Sequence, residues 1–133
     1  MADSNSSASK TTIMVIDDQP DILDIVKTIL ERSGYVVQVA DSGMEAFSLL
    51  EEKKPDLIIL DIMMPQMDGW KVLKQLKGNA DYSSIPVILI TAKIQQENMV
   101  RGYEMGADYF IPKPFTSAHL INITNLLINK NAR

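Results

Sequence analysis

The sequence contains no cysteine, which excludes disulfides, thiolate metal sites and thiol nucleophiles together. It has no apolar run near the ~20 residues that a membrane-spanning helix requires. Residues 1–10 include four serines and lack the apolar stretch of a secretory signal. They are expected to be a disordered lead-in to a domain at 11–130, and the protein is expected to be cytoplasmic, with no membrane contact. Positive charge is also short: 13 Lys and Arg stand against 17 Asp and Glu, a net charge of -4. An acidic body does not by itself attract nucleic acid, so no direct nucleic-acid contact is expected. There is no internal repeat beyond a βα unit, and no linker that would divide the chain.

What is present suits one domain. A chain of 133 residues, 46% hydrophobic and 23% charged, has ordinary globular proportions. Apolar runs of strand length fall at 11–16, 36–40, 57–60, 86–91 and 108–111. They are continuous rather than alternating, as in parallel strands buried on both faces.

Helical patterns lie between them. Ile22, Ile25, Val26, Ile29 and Leu30 share one helical face, and Gly34 stands where a left-handed C-cap belongs. Ser42 and Glu45 form a capping box ahead of Ala46, Phe47, Leu49 and Leu50. Asp68 and Gly69 open a third helix through Val72, Leu73 and Leu76. A fourth helix is expected over 95–105, ended by Gly106, and a fifth runs from a Thr116 cap to about Asn129. Five strands alternating with five helices predict an α/β sandwich with a doubly wound parallel sheet. Right-handed crossovers then bring every strand's carboxyl end to one edge, where ligands bind.

That edge collects Asp17 and Asp18 after the first strand, Asp61 after the third, Thr91 and Ala92 after the fourth, and Lys113 and Pro114 after the fifth. Two negative charges about 4 Å apart repel by roughly 4 kcal/mol at an effective dielectric near 20. Three carboxylates together therefore call for a cation or a shared proton. Oxygen-only ligands in an open crevice favour Mg²⁺, which keeps several waters and accepts phosphate oxygens. A lone Asp-Asp pair is often only a solvated helix cap; a third carboxylate at another strand end argues against that. A lysine and a hydroxyl beside a divalent ion suit a phosphoryl group, and a carboxylate can attack phosphorus to form an aspartyl phosphate.

These residues carry a family resemblance. The segments Ile13-Met14-Val15-Ile16-Asp17-Asp18, Asp61-Ile62-Met63-Met64-Pro65-Gln66-Met67-Asp68-Gly69-Trp70, Ile90-Thr91-Ala92 and Gly106-Ala107-Asp108-Tyr109-Phe110-Ile111-Pro112-Lys113-Pro114-Phe115 resemble, in order, those of response-regulator receiver domains of two-component signalling. The resemblance implies a flavodoxin-like fold of strand order 2-1-3-4-5, and a signalling switch that catalyses only its own phosphorylation and dephosphorylation. It implies Asp61 as phosphoacceptor. Mg²⁺ would be held directly by Asp18, largely through water by Asp17, and by Asp61 and the Met63 backbone carbonyl. Thr91, the Ala92 amide and Lys113 would receive the phosphoryl group. Thr91 and Phe110 would be the switch residues; Tyr109 should point to the opposite face by strand alternation. Implied partners are a sensor histidine kinase or phosphotransfer protein, and a downstream protein or effector domain.

Two prolines fit physically. Lys113-Pro114 is a candidate cis bond, and Pro112, which cannot donate to a ladder, suits a strand at the sheet edge. Met63 and Lys93 stand where the resemblance places the path of the attacking water. Neither offers a carboxylate or amide to orient it, so a long-lived phosphoryl group is expected. The fifth helix departs from the charged dimer pattern of winged-helix relatives. It carries Asn122, Asn125 and Asn129 against a wide apolar arc that includes Ile121, Leu126 and Ile128. Part of that arc is expected to face a partner or a second copy, giving a homodimer through the fifth helix. With no effector sequence after it, the domain is expected to be a stand-alone regulator or a piece of a larger protein.

Other classes fit less well. An aspartate-nucleophile phosphatase needs a second Asp where Met63 stands. A flavin or nucleotide carrier needs a Gly/Ser/Thr-rich first loop where Asp17-Asp18-Gln19-Pro20 is acidic. A pseudo-receiver acting only as an interaction module needs a missing site residue.

Overall fold

The computed structural model describes residues 10–63, 69–92 and 96–131, with the side chain of Asn131 excepted. The elements alternate: β1 (Thr12–Ile16), α1 (Pro20–Arg32), β2 (Val36–Ala40), α2 (Gly43–Glu52), β3 (Leu57–Asp61), α3 (Gly69–Lys77), β4 (Val87–Thr91), α4 (Gln96–Glu104), β5 (Tyr109–Pro112) and α5 (Ser117–Asn131). Every expected element forms. The expected lead-in, save Lys10, lies outside the described residues. So do Met64, Pro65, Gln66, Met67, Asp68, Lys93 and Gln95.

All strand pairs are parallel, in the order β2-β1-β3-β4-β5. The chain moves from β1 to β2 on one side and returns to β3 on the other. The strand order thus reverses between β1 and β3, which opens the crevice that such sheets use for ligands. β5 is an edge strand, as Pro112 requires. It begins at Tyr109 rather than Asp108 because the Asp108 carboxylate takes the Val87 amide at 2.9 Å and so acts as a side-chain stop.

The strands bury both faces. Met14, Ile16, Ile58, Leu60, Val87, Leu89 and Phe110 pack with Ala46 and Leu50 of α2 and with Trp70, Val72, Leu73 and Leu76 of α3. Ile13, Val15, Leu57, Ile59, Ile88, Ile90 and Ile111 pack with Leu23, Val26 and Leu30 of α1 and with Leu120, Ile123 and Leu127 of α5. Phe110 and Tyr109 fall on opposite faces, as the period of two demands.

Local chemistry sets the helix ends. Gly34 (φ 97°) and Gly106 (φ 104°) take the left-handed conformation that a Cβ disfavours. Ser42 Oγ accepts the Glu45 amide at 3.1 Å, while Glu45 Oε1 reaches back to the Asp41 amide at 2.8 Å. Thr116 Oγ1 accepts the His119 amide at 3.0 Å and caps α5. On α5, Leu120, Ile123, Thr124 and Leu127 are buried, Ile121 and Ile128 are half-buried, and Leu126 is 58% exposed. Asn125 is not purely solvent-facing: it accepts a hydrogen bond from the Tyr35 hydroxyl.

Candidate functional site

Parallel strands of similar length deposit their last residues side by side. Asp61 ends β3 and Thr91 ends β4; Asp17 follows β1 directly and Lys113 follows β5. The Lys113-Pro114 bond is cis. The Lys113 amide donates to the Thr91 carbonyl at 3.0 Å, which ties the lysine's backbone to the end of β4.

The two buried aspartates are held in the same way. Asp61 Oδ1 accepts the Met63 amide at 2.9 Å, and Asp17 Oδ1 accepts the Gln19 amide at 2.9 Å. Each carboxylate thus fixes itself on the backbone two residues ahead, an Asx turn. The second oxygen of each faces Lys113, whose Nζ donates to Asp61 Oδ2 at 2.8 Å and to Asp17 Oδ2 at 3.2 Å. The side chains of Asp17 and Asp61 are 3% and 5% exposed, and that of Lys113 15%. This is a largely desolvated cluster, where charge–charge interactions are strong.

Asp18 completes it differently. Oxygens of Asp17, Asp18 and Asp61 lie within 4.8 Å of one another, yet Asp18 Oδ1 is buried with no hydrogen-bond partner among the described residues. Among the described residues, three carboxylates against one ammonium leave two negative charges unbalanced. An orphaned anionic oxygen in an all-oxygen set fits a hard divalent cation. This acidic cluster could therefore bind a metal, and Asp18 is the residue with a vacant ligand atom. The titration behaviour follows from the geometry. Burial raises Asp17 above the ordinary carboxylate value, the Gln19 amide and Lys113 oppose this, and the Asp61 charge adds to it. Burial pulls Lys113 down, but its hydrogen bond to Asp61 and the charges of Asp61 and Asp17 outweigh that and leave it raised.

The remaining predicted residues surround the cluster. Thr91 is fully buried and Ala92 is exposed beside it. Met63 is 43% exposed at the mouth. Phe110 is 4% exposed, one strand step from Leu89, with its ring edge-on to Tyr103 at 5.7 Å. Asp17, Asp18, Asp61, Met63, Thr91, Ala92 and Lys113 are thus brought to one sheet edge, while Phe110 lies deeper, under α4.

Sequence reading missed three supports. Gly69 has no room for a side chain: a Cβ would stand 2.4 Å from Ile62 Cα and 2.7 Å from the Asp61 carbonyl oxygen. At Gly102 a Cβ would stand 2.5 Å from the Phe110 ring. Arg101 lies 4.2 Å from the centroid of the Trp70 ring. Glycine inside a helical pattern costs about 1 kcal/mol against alanine, so the Gly102 position signals a packing constraint. No sequence signal pairs Arg101 with Trp70.

Residues 13–125 match the family model described as "Response regulator receiver domain". The chain belongs to that family. Its sequence relatives are response regulators, and receiver domains with its fold are known in crystals. The chain is 43% identical over 104 residues to the alkaline phosphatase synthesis transcriptional regulatory protein PhoP of Bacillus subtilis, covering 78% of this chain and 42% of that protein. It is 36% identical over 121 residues to the DNA-binding dual master transcriptional regulator RpaA of Synechocystis, covering 91% and 50%. It therefore spans about half the length of the curated relatives it matches. Among solved structures, the signal receiver domain of a histidine kinase from Syntrophus aciditrophicus superposes with a TM-score of 0.82 at 38% identity, covering 90% and 91% of the two chains. The chemotaxis protein CheY4 of Vibrio cholerae superposes with a TM-score of 0.85 at 27% identity, covering 90% and 99%. The receiver domain is thus a module of two-component signalling, and among its described residues no helix is long and apolar enough to cross a membrane.

Proposed function

We propose that this receiver domain, residues 11–130, takes a phosphoryl group onto Asp61 in the presence of Mg²⁺ and uses it as a signalling switch. The observation that carries the reading is the bridge from Lys113 Nζ to Asp61 and Asp17, beside the orphaned Asp18 oxygen. In the reaction a carboxylate oxygen of Asp61 forms a bond to phosphorus. The donor's bond to phosphorus breaks, its electron pair leaving with a histidine imidazole of a sensor kinase or phosphotransfer protein, or with acetate from acetyl phosphate. Asp18 and Asp61 would hold Mg²⁺ directly, with the Met63 carbonyl, and Asp17 through water. The ion supplies charge neutralisation on the phosphoryl oxygens.

The protein's own part is positioning. The Met63 amide fixes the Asp61 carboxylate. Lys113 transfers its ammonium from the carboxylate to a phosphoryl oxygen, and the Thr91 hydroxyl and Ala92 amide take others. Movement of Thr91 toward the phosphoryl group shifts Phe110, and with it the population of two arrangements of α4, β5 and α5. That surface then engages a downstream protein or effector domain, and α5 contributes a contact to a partner or to a second copy. We place the domain in the cytoplasm and assign it no direct nucleic-acid contact, consistent with its net charge of -4. The pseudo-receiver alternative is disfavoured because Asp17, Asp18, Asp61, Thr91 and Lys113 all stand at the site.

Incubation with acetyl phosphate tests the reading. The intact mass should rise by one phosphoryl group with Mg²⁺ present and fail to rise with EDTA. A gain that survives chelation would refute the metal's role.

A further inference from the structure

The contacts of α4 point to a positioning role that lies outside the phosphoryl site itself. Gly69 seats the first turn of α3 directly on the backbone of Asp61 and Ile62, with a hypothetical Cβ only 2.4 Å from Ile62 Cα. The next residue, Trp70, is 8% exposed and packs in the core. Its ring is covered by Arg101, with the guanidinium carbon 4.2 Å from the centroid. That is well within the ~6 Å at which a cation is attracted to an aromatic face. Arg101 belongs to α4, and its neighbours Gly102 and Tyr103 both touch Phe110. One turn of α4 therefore contacts the start of α3 and the aromatic residue of β5 at once.

We infer that Arg101 is a positioning residue for the phosphorylation reaction: by holding Trp70 it fixes the start of α3, and through Gly69 it fixes the backbone that carries Asp61. This rests on the assignment of Asp61 as phosphoacceptor. The Asp61 carboxylate is aimed by the Met63 amide at 2.9 Å, so its aim depends on the Asp61–Met63 turn, and that turn lies under Gly69. Loss of the Arg101 contact lets the start of α3 shift and lowers the fraction of carboxylates in attacking position. Coupling free energies are reciprocal. A phosphoryl group that alters the Asp61 turn must then alter the Arg101–Trp70 contact, and so reach α4 by a route separate from Thr91 and Phe110.

The sequence contains a single tryptophan, so Trp70 reports its own environment. Wild type, Arg101→Gln and Arg101→Lys are each mixed with acetyl phosphate and Mg²⁺, and intact mass and tryptophan emission are followed on the same samples. In wild type the emission should change at the rate at which phosphoryl mass appears. Arg101→Gln should phosphorylate about twofold to fivefold more slowly, the range set by one solvent-exposed cation–ring contact, and its emission change should shrink at least by about half. Arg101→Lys keeps a cation over the ring and should recover most of both. A purely structural arginine would alter melting temperature without this rescue pattern. Phosphoryl mass with unchanged wild-type emission, or a wild-type rate in Arg101→Gln, overturns the positioning role and leaves the Asp61 assignment standing. No phosphoryl mass on wild type overturns the assignment and this inference with it.

Discussion

Replacing Asp18 with Asn should make the metal-free domain more stable, not less. Asp18 is one of three carboxylates whose oxygens lie within 4.8 Å of one another. At that distance and an effective dielectric near 20, each like-charge pair costs about 3.5 kcal/mol. Asp18 meets two such partners, Asp17 and Asp61. Lys113 already gives its hydrogen bonds to those two, and its charge offsets about one of the repulsions. Asp18 is also only half-buried, so solvent screens part of the rest. A net gain of about 1–3 kcal/mol remains for the near-isosteric Asn. For a domain of this size that raises the melting temperature by about 4–12 °C. In EDTA at neutral pH, scanning calorimetry should place Asp18→Asn above wild type. Mg²⁺ should then reverse the order of benefit. Wild type gains about 1.4 kcal/mol at a tenfold excess over Kd, and the variant gains far less because its orphaned anionic oxygen is gone. A variant that melts below wild type in EDTA, or a wild type indifferent to Mg²⁺, would refute the reasoning.

Gly102→Ala separates helix propensity from packing: propensity predicts a gain of about 1 kcal/mol, but a Cβ 2.5 Å from Phe110 and 2.9 Å from Leu89 costs about 1–3 kcal/mol in overpacking, so urea titration should show a net loss. Lys113 is raised above its ordinary 10.5 in the fold, so its contribution is complete below that pH and is lost as pH rises through the folded value. On the alkaline side the stability gap between wild type and Lys113→Met should therefore narrow as pH rises above about 10.5; a gap that is constant through that range would contradict the pairing. Leu126→Lys, at a side chain 58% exposed, should leave the unfolding free energy within about 0.5 kcal/mol of wild type and weaken phosphorylation-dependent association in analytical ultracentrifugation. Unaltered association would remove Leu126 from any interface.

The sheet and its edge residues were legible because their signals are periodic. Unbroken β-branched runs, Gly34, Gly106, the Ser42–Glu45 box and the Thr116 cap each have one local reading, and each formed. The topological rule then gathered Asp17, Asp61, Thr91 and Lys113 from four strand ends without any knowledge of side-chain positions. What could not be read was contact chemistry between elements. The sequence does not say that Asp18, rather than Asp17, keeps an unpartnered oxygen, because that depends on the Gln19 turn and on the reach of Lys113. Nor does it show that Asn125 accepts from the Tyr35 hydroxyl. Nor does the wide apolar arc of α5 say which part of it is free: Ile121 and Ile128 are half-buried, and Leu126 alone of the three is exposed.

The proposed chemistry is tested most directly by locating the modified residue. An acyl phosphate is reduced by borohydride to an alcohol, which marks the carboxylate that carried the phosphoryl group. After treatment with acetyl phosphate and Mg²⁺, reduction and peptide mapping should find that mark on Asp61 alone, and Asp61→Asn should take none at a comparable rate. The mark on Asp17 or Asp18 in the wild-type protein, or equal labelling of Asp61→Asn, would contradict Asp61 as the phosphoacceptor.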